Sequence, residues 1–94
     1  MKSQKKSSRS LREFKHLIVH VTSVKHLGDY RLRLTFDDGV SKELDLWPYL
    51  ENKGGVFKKV KNKEFFSQVR IDPEAGTIVW PNGADWAPDV LYQL

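Results

Sequence analysis

Three histidines, His16, His20 and His26, are the side chains of this sequence best able to bind a metal or move a proton. Thiolates are excluded as metal ligands and as nucleophiles because the chain has no cysteine. His16 and His20 fall in a segment typical of a β-strand, where four residues span about 13 Å, too far for one ion to bind both. Only Glu13 lies near them in sequence. The sequence therefore predicts no metal site and no cofactor, and it places these imidazoles on an exposed edge strand.

Signatures of the common enzyme classes are missing. No serine lies in a G-x-S-x-G motif, and the chain has neither a G-x-x-x-x-G-K-[ST] loop nor a G-x-G-x-x-G fingerprint. The adjacent carboxylates Asp37 and Asp38 precede Gly39, which is typical of a hairpin turn because aspartate hydrogen-bonds its own backbone there. We therefore expect a protein that is not an enzyme. The enzymatic alternative is a small active site centred on Asn82 and Asp85.

The densest group of aromatic and polar residues lies between Gly76 and Tyr92. Two interpretations of it stay open. In the first, Trp80 fills the core, Asn82 and Gly83 form a tight turn, and Asp85 caps the last helix. In the second, the block presents a platform to a protein partner, because aromatic side chains are common anchors of interfaces. The candidate partner-binding residues are Trp80, Asn82, Asp85, Trp86 and Tyr92.

The basic character of the chain is concentrated at its start. The 94 residues include 16 Lys and Arg and 12 Asp and Glu, for a formal net charge of +4. Residues 1–15 hold six of the basic residues and one acidic residue, and the first ten have no apolar side chain after Met1. We predict a disordered basic tail over residues 1–15 and one compact domain over residues 16–94. The tail is the candidate nucleic-acid contact, through Lys2, Lys5, Lys6, Arg9, Arg12 and Lys15.

Hydropathy and cysteine content bear on the compartment. The longest aliphatic run, Leu17-Ile18-Val19, is far shorter than the about 20 residues that cross a bilayer. A chain without cysteine fits a reducing compartment. We expect a cytoplasmic protein that does not bind a membrane.

Residues 17–46 predict a three-stranded antiparallel meander. Apolar and polar side chains alternate along Tyr30–Phe36, as in a strand with one buried face, and Asp38-Gly39 marks the next hairpin. A bulge or bend is expected near Thr22-Ser23, where the alternation of the first strand changes parity. On the returning strand, the residues expected to face inward are Val40, Leu44 and Leu46.

Short helices and a second hairpin follow the meander. Trp47-Pro48 predicts the start of a helix that packs Trp47 and Tyr49 on the sheet, and Asn62 is a candidate N-cap of another. Residues 69–72 and 77–80 predict a hairpin, and the chain ends in a third short helix. The expected fold class is α+β, with a small antiparallel sheet of about five strands and two or three short helices.

The order of these motifs resembles a small prokaryotic family known as the domain of unknown function numbered 2442. The resemblance covers roughly residues 18–92 and is most specific in the block T-I-V-W-P-N-G-A-D at 77–85. It implies a compact α+β domain with a small antiparallel sheet. The positions that carry it, to which the family assigns no role, are Phe36, Asp37, Gly39, Asp72, Gly76, Trp80, Pro81, Asn82, Gly83, Asp85, Pro88, Leu91 and Tyr92.

The family also implies expectations about function. Some relatives resemble this domain followed by a helix-turn-helix domain, and others are short chains paired with a second small protein in toxin–antitoxin-like arrangements. No helix-turn-helix follows Tyr92 in this sequence, so direct sequence-specific DNA binding is not expected. The main hypothesis is a bacterial, non-enzymatic module that binds a protein partner as the antitoxin-like half of a two-gene pair. The alternative is a nucleic-acid-associated protein that uses the basic tail.

Overall fold

A computed structural model describes residues 19–94 of the chain. The tail predicted over residues 1–15 lies outside the described residues, as does His16. Three antiparallel strands come first, in the order β1, β2, β3 across one sheet: β1 (Val21–Gly28), β2 (Arg31–Phe36) and β3 (Ser41–Asp45). The predicted meander is confirmed.

The alternation of β2 gives the sheet its buried face. Leu32, Leu34 and Phe36 are at most 1% exposed, whereas Arg31 and Arg33 point to solvent, since successive side chains of a strand face opposite ways. The register of β1 against β2 shifts between Val21 and Ser23, which confirms the predicted bulge.

The β2–β3 hairpin corrects one expectation. Gly39 has φ +91°, and the amide of Val40 donates to Oδ1 of Asp38 at 3.0 Å, so the Asp-Gly pair forms the turn as predicted. Val40 was expected to face inward and is 39% exposed. It precedes the first residue of β3 and lies in the turn, where nothing covers its side chain completely.

Three single-turn helices follow: α1 (Trp47–Leu50), α2 (Phe57–Val60) and α3 (Lys63–Phe66). Pro48 stands in the first turn of α1, and Oδ1 of Asp45 accepts from the amide of Trp47 at 3.0 Å. The expectation that Trp47 and Tyr49 pack on the sheet holds only in part. The ring of Trp47 packs on Tyr30 beside β2, but the side chains of Trp47 and Tyr49 are 37% and 47% exposed. Leu46 and Leu50 are the residues that α1 turns inward, because they lie one helical turn apart.

Helix capping was predicted correctly at one end and wrongly at another. Asn62 caps α3, since its Oδ1 accepts from the amide of Phe65 at 3.0 Å. The last helix, α4 (Pro88–Gln93), has Ala87 as its N-cap and no side-chain cap, so Asp85 does not cap it. Pro88 occupies the first turn, and proline there needs no acceptor because it carries no N–H.

The second sheet is a hairpin of β4 (Arg70–Asp72) and β5 (Thr77–Val79). Its turn is closed by Asp72, whose Oδ1 accepts from the amide of Glu74 at 3.0 Å, and by Gly76, which donates to the carbonyl of Asp72 at 2.8 Å. The amide of Val21 donates to the carbonyl of Gly76 at 2.9 Å, which joins this turn to the entry of β1. The α+β class with five strands is confirmed, and the helices in residues 19–94 number four.

The core lies between the meander, the helices and β5. Trp80 is its largest member and is fully buried. Its indole Nε1 donates to the carbonyl of Phe66 at 3.0 Å, so the polar atom of the ring is satisfied inside the core. The other fully buried side chains are Phe36, Phe66, Leu32, Leu34, Leu46, Leu50, Ile78, Leu91, Val21 and Val60.

We expect Trp80→Ala to lower the free energy of unfolding by about 3–5 kcal/mol, because truncating a buried indole leaves a cavity. Urea denaturation followed by circular dichroism measures the change. Val90→Ala, at a position 44% exposed, serves as the control and should stay within about 0.5 kcal/mol of the unsubstituted protein. A loss below about 1 kcal/mol for Trp80→Ala would contradict a core role.

Candidate functional site

The two tryptophans of the Gly76–Tyr92 block, Trp80 and Trp86, are buried and pack beneath the exposed residues of that block. The ring of Trp80 packs against Phe57 and Phe66 with centroids 6.3 and 5.6 Å away. Trp86 is 7% exposed and packs against Phe57 at 5.5 Å, and its carbonyl accepts from Oγ1 of Thr77. Both indoles therefore hold the block to the core and leave almost no ring surface for a partner.

Asn82 ties two loops together. The backbone turns tightly between Trp80 and Ala84, with the amide of Trp80 donating to the carbonyl of Ala84 at 2.8 Å, which confirms the predicted turn. At its tip, Nδ2 of Asn82 donates to the carbonyl of Val56 at 2.9 Å, and Oδ1 accepts from the amide of Ala84 at 3.1 Å. Both ends of the amide are used, so this side chain fixes the loop before α2 against the turn.

Val56 is the most exposed large apolar residue among residues 19–94, at 53%. Beside it, Nζ of Lys53 lies 5.5 Å from the ring centre of Phe57 and 5.3 Å from that of Trp86, within cation–π range. We call Lys53, Val56, Asn82 and Asp85 the Asn82 surface.

Asp85 lies three residues after Asn82, at the end of the turn. Its backbone bridges to Val79, and its side chain is exposed. The carboxylate makes no hydrogen bond or ion pair with another residue of the described part of the chain. It is therefore available to a partner in a way that the amide of Asn82 is not.

Tyr92 lies in a different contact cluster. Its phenol donates to Oδ2 of Asp38 at 2.5 Å, and its ring meets Phe36 edge-on at 5.0 Å. The hydrogen bond to Asp38, followed by burial and the charge of that carboxylate, raises the pKa of Tyr92 above its usual value. Nζ of Lys42 donates to the carbonyls of Tyr92 and Leu94 at 2.6 and 2.8 Å. These contacts clamp α4 to the β2–β3 hairpin, so Tyr92 does not join the Asn82 surface.

A model of one protein family matches residues 21–94, which is most of the chain. The chain belongs to the family described as Protein of unknown function (DUF2442). The resemblance inferred from the W-P-N-G-A-D block is thereby confirmed. No curated protein and no solved structure matches the chain.

Neither a metal-binding cluster nor a membrane-spanning helix is found in the described part of this DUF2442 chain. Residues 19–94 contain no group of three or more His, Asp or Glu side chains that could hold a metal ion. Within the same range, every helix is too short or too polar to pass through a bilayer.

Sequence reasoning missed a side-chain contact between His20 and Asp37. Nδ1 of His20 lies 3.0 Å from Oδ2 of Asp37, and the two side chains are 54% and 42% exposed. They line an open cleft together with Thr22, Ile71, Pro73 and Glu74. The register of β1 against β2 could have predicted this contact, because pairing Val21 with Phe36 places His20 opposite Asp37.

Gly76 closes this cleft against the imidazole. It has φ +69°, and a methyl group on its Cα would lie 2.3 Å from Cδ2, 2.9 Å from Cγ and 3.2 Å from Cβ of His20. The two contacts under 3.0 Å are to ring atoms, so an added methyl group would force the imidazole of His20 to move. Gly76 is therefore required by both its backbone conformation and the packing of His20.

We expect Gly76→Ala to cost more free energy of unfolding than Gly39→Ala. Both glycines have positive φ, which costs an alanine about 1–2 kcal/mol, but Gly39 has no atom within 4 Å of the added methyl group. The excess at Gly76 should exceed about 1 kcal/mol, by urea denaturation, and should shrink in a His20→Ala background. Equal losses at the two glycines would show that His20 does not pack against Gly76.

Proposed function

We propose that this DUF2442 chain is a non-catalytic module of the bacterial cytoplasm that binds a protein partner through the Asn82 surface. The observation that carries the proposal is the support beneath Val56. This apolar side chain is 53% exposed, yet its carbonyl is held by Asn82 and the next residue, Phe57, packs on the rings of Trp80 and Trp86. A surface that is already rigid loses little conformational entropy when it binds.

The arrangement around Val56 also fits the composition of protein interfaces. Such interfaces have an apolar centre and a polar rim that stays partly hydrated. Val56 supplies the centre, and Lys53, Asn82 and Asp85 supply a rim with one cation, one amide and one carboxylate. The enzymatic alternative has less support, because the amide of Asn82 is occupied by Val56 and Ala84 and is not free to orient a substrate.

We propose further that the partner is the product of a neighbouring gene, which the module shields as the antitoxin-like half of a two-gene pair. The family resemblance suggests a two-gene pair, because some short relatives are paired with a second small protein. The absence of catalytic signatures is compatible with this role. In this form, expression of the neighbouring gene alone should slow growth, and co-expression of the module should restore it.

We expect Val56→Asp to abolish recovery of the partner, because the substitution places an unpaired charge at the centre of the interface. The experiment is an affinity pull-down from the native host at physiological salt, followed by the stoichiometry of the recovered complex. Val40→Asp is the matched control, since Val40 is 39% exposed and lies in the β2–β3 turn, which is not part of the Asn82 surface. It should retain the partner.

Repeated failure of the unsubstituted protein to recover any stoichiometric protein would contradict the proposal. Recovery that Val56→Asp leaves unchanged would contradict the Asn82 surface as its site. Both substitutions lie at exposed positions, so we expect both variants to fold. Circular dichroism of each variant checks this.

A further inference from the structure

The near-neutral charge of the described residues conceals one strongly basic segment. Residues 52–63 contain five lysines and no acidic residue, whereas the rest of residues 19–94 contains five basic and eleven acidic residues. The five lysines are Lys53, Lys58, Lys59, Lys61 and Lys63. A segment of one charge sign set in an acidic surrounding creates a local positive potential.

The structure leaves most of this charge uncompensated. Helix α2 buries Val60 and packs Phe57 on the core, so Lys58 and Lys59 project outward and are exposed. Nζ of Lys63 lies 3.2 Å from Oδ1 of Asp29, and both side chains of this pair are exposed. Lys53, Lys58 and Lys59 have no carboxylate within ion-pair distance in the described part of the chain.

Exposed aromatic rings lie on α1, the helix that precedes the lysine segment. Trp47 and Tyr49 of α1 are 37% and 47% exposed. The ring of Trp47 packs on Tyr30 with centroids 4.8 Å apart, and the phenol of Tyr30 donates to the carbonyl of Lys61.

A second contact fixes the same arrangement. Nζ of Lys61 donates to the carbonyl of Glu51 at the end of α1, at 2.9 Å. These bonds hold α1 beside the connection between α2 and α3, so the exposed ring of Trp47 lies close to the lysine segment at Lys61. We call Trp47, Lys58, Lys59, Lys61 and Lys63 the Trp47–lysine surface.

We propose that the Trp47–lysine surface binds single-stranded nucleic acid, with phosphates on the lysines and an unpaired base stacked on Trp47. Lysine is depleted from protein interfaces but is a common contact to phosphate. Aromatic side chains beside a basic surface accept any unpaired base, because every base has a π-face. A duplex buries those faces, which favours a single strand. This site is separate from the Asn82 surface and does not depend on the protein partner.

The test uses the full-length protein and fluorescein-labelled 20-nucleotide strands of oligo-dT and oligo-U, measured by fluorescence anisotropy at several salt concentrations. Tryptophan emission supplies a second readout. Of the three tryptophans, Trp80 and Trp86 are 0% and 7% exposed, so quenching on binding reports Trp47. Trp47→Leu keeps an apolar contact with Tyr30, and it should abolish the quenching and weaken binding about five-fold or more.

The lysines are tested by a charge-matched pair of variants. Lys58→Gln with Lys59→Gln should reduce the slope of log affinity against log salt by about 1.4, the value expected for two lost phosphate contacts to a single strand. Lys25→Gln with Arg31→Gln removes the same charge from exposed positions on β1 and β2 and should leave the slope unchanged. Residues 1–15 are present in every variant, so any contribution from that segment is constant.

Four outcomes would overturn the proposal. The first is equal loss in the two charge-matched variants, which would indicate attraction by net charge alone. The second is an unchanged affinity and quenching in Trp47→Leu. The third is equal binding of a 20-base-pair duplex. The fourth is tighter binding of polyglutamate than of either oligonucleotide, with the same sensitivity to the lysine substitutions, which would assign the surface to an acidic protein.

Discussion

The burial of Trp80 is the constraint on which the rest of this small fold depends. One indole contacts Phe57 of α2 and Phe66 of α3, and its Nε1 donates to the backbone at the end of α3. Its own amide closes the turn that carries Asn82. The helical layer, the second hairpin and the W-P-N-G turn are therefore joined through a single side chain, and each loses its position if that side chain is removed.

The burial of Trp80 explains how the Gly76–Tyr92 block can contain both core residues and exposed residues. Trp80 and Trp86 are internal, and Asn82 and Val56, which they support, are exposed. Asn82 reaches from the turn to the Val56 carbonyl, so the rigidity of the core extends to the surface loop. On α1, Trp47 is anchored through Tyr30 to the α2–α3 connection. Two separate surfaces thus rest on one core, which is how a thin domain can hold exposed groups in fixed positions.

Local sequence signals predicted much of the fold. The alternation of Tyr30–Phe36, the Asp-Gly turn and the Asn62 cap depend on neighbouring residues alone, and all three are confirmed. Asp85 was assigned a cap from its spacing to Pro88, but the backbone of Asp85 bridges to Val79 and the helix begins later.

Features that depend on pairing across the chain were missed. The contact between His20 and Asp37 requires the register of two strands, and the charge of residues 52–63 is hidden in a total that sums to nearly zero. The expected packing of Trp47 and Tyr49 on the sheet was also largely wrong, because propensity predicts the helix α1 but not which of its sides meets the core. Within the candidate site, the sequence identified Asn82 and Asp85 but not Val56, whose exposure depends on the loop that Asn82 holds.

Hydrogen exchange of the indole N–H groups, followed by nuclear magnetic resonance, tests the central role of Trp80 most directly. The Nε1–H of Trp80 is buried and bonded to the carbonyl of Phe66, so it should exchange only when the whole domain unfolds. Its protection should then match that of the slowest amides of β2 and fall with them as urea is added. Exchange of the Trp80 indole as fast as that of the exposed Trp47 indole would contradict the account.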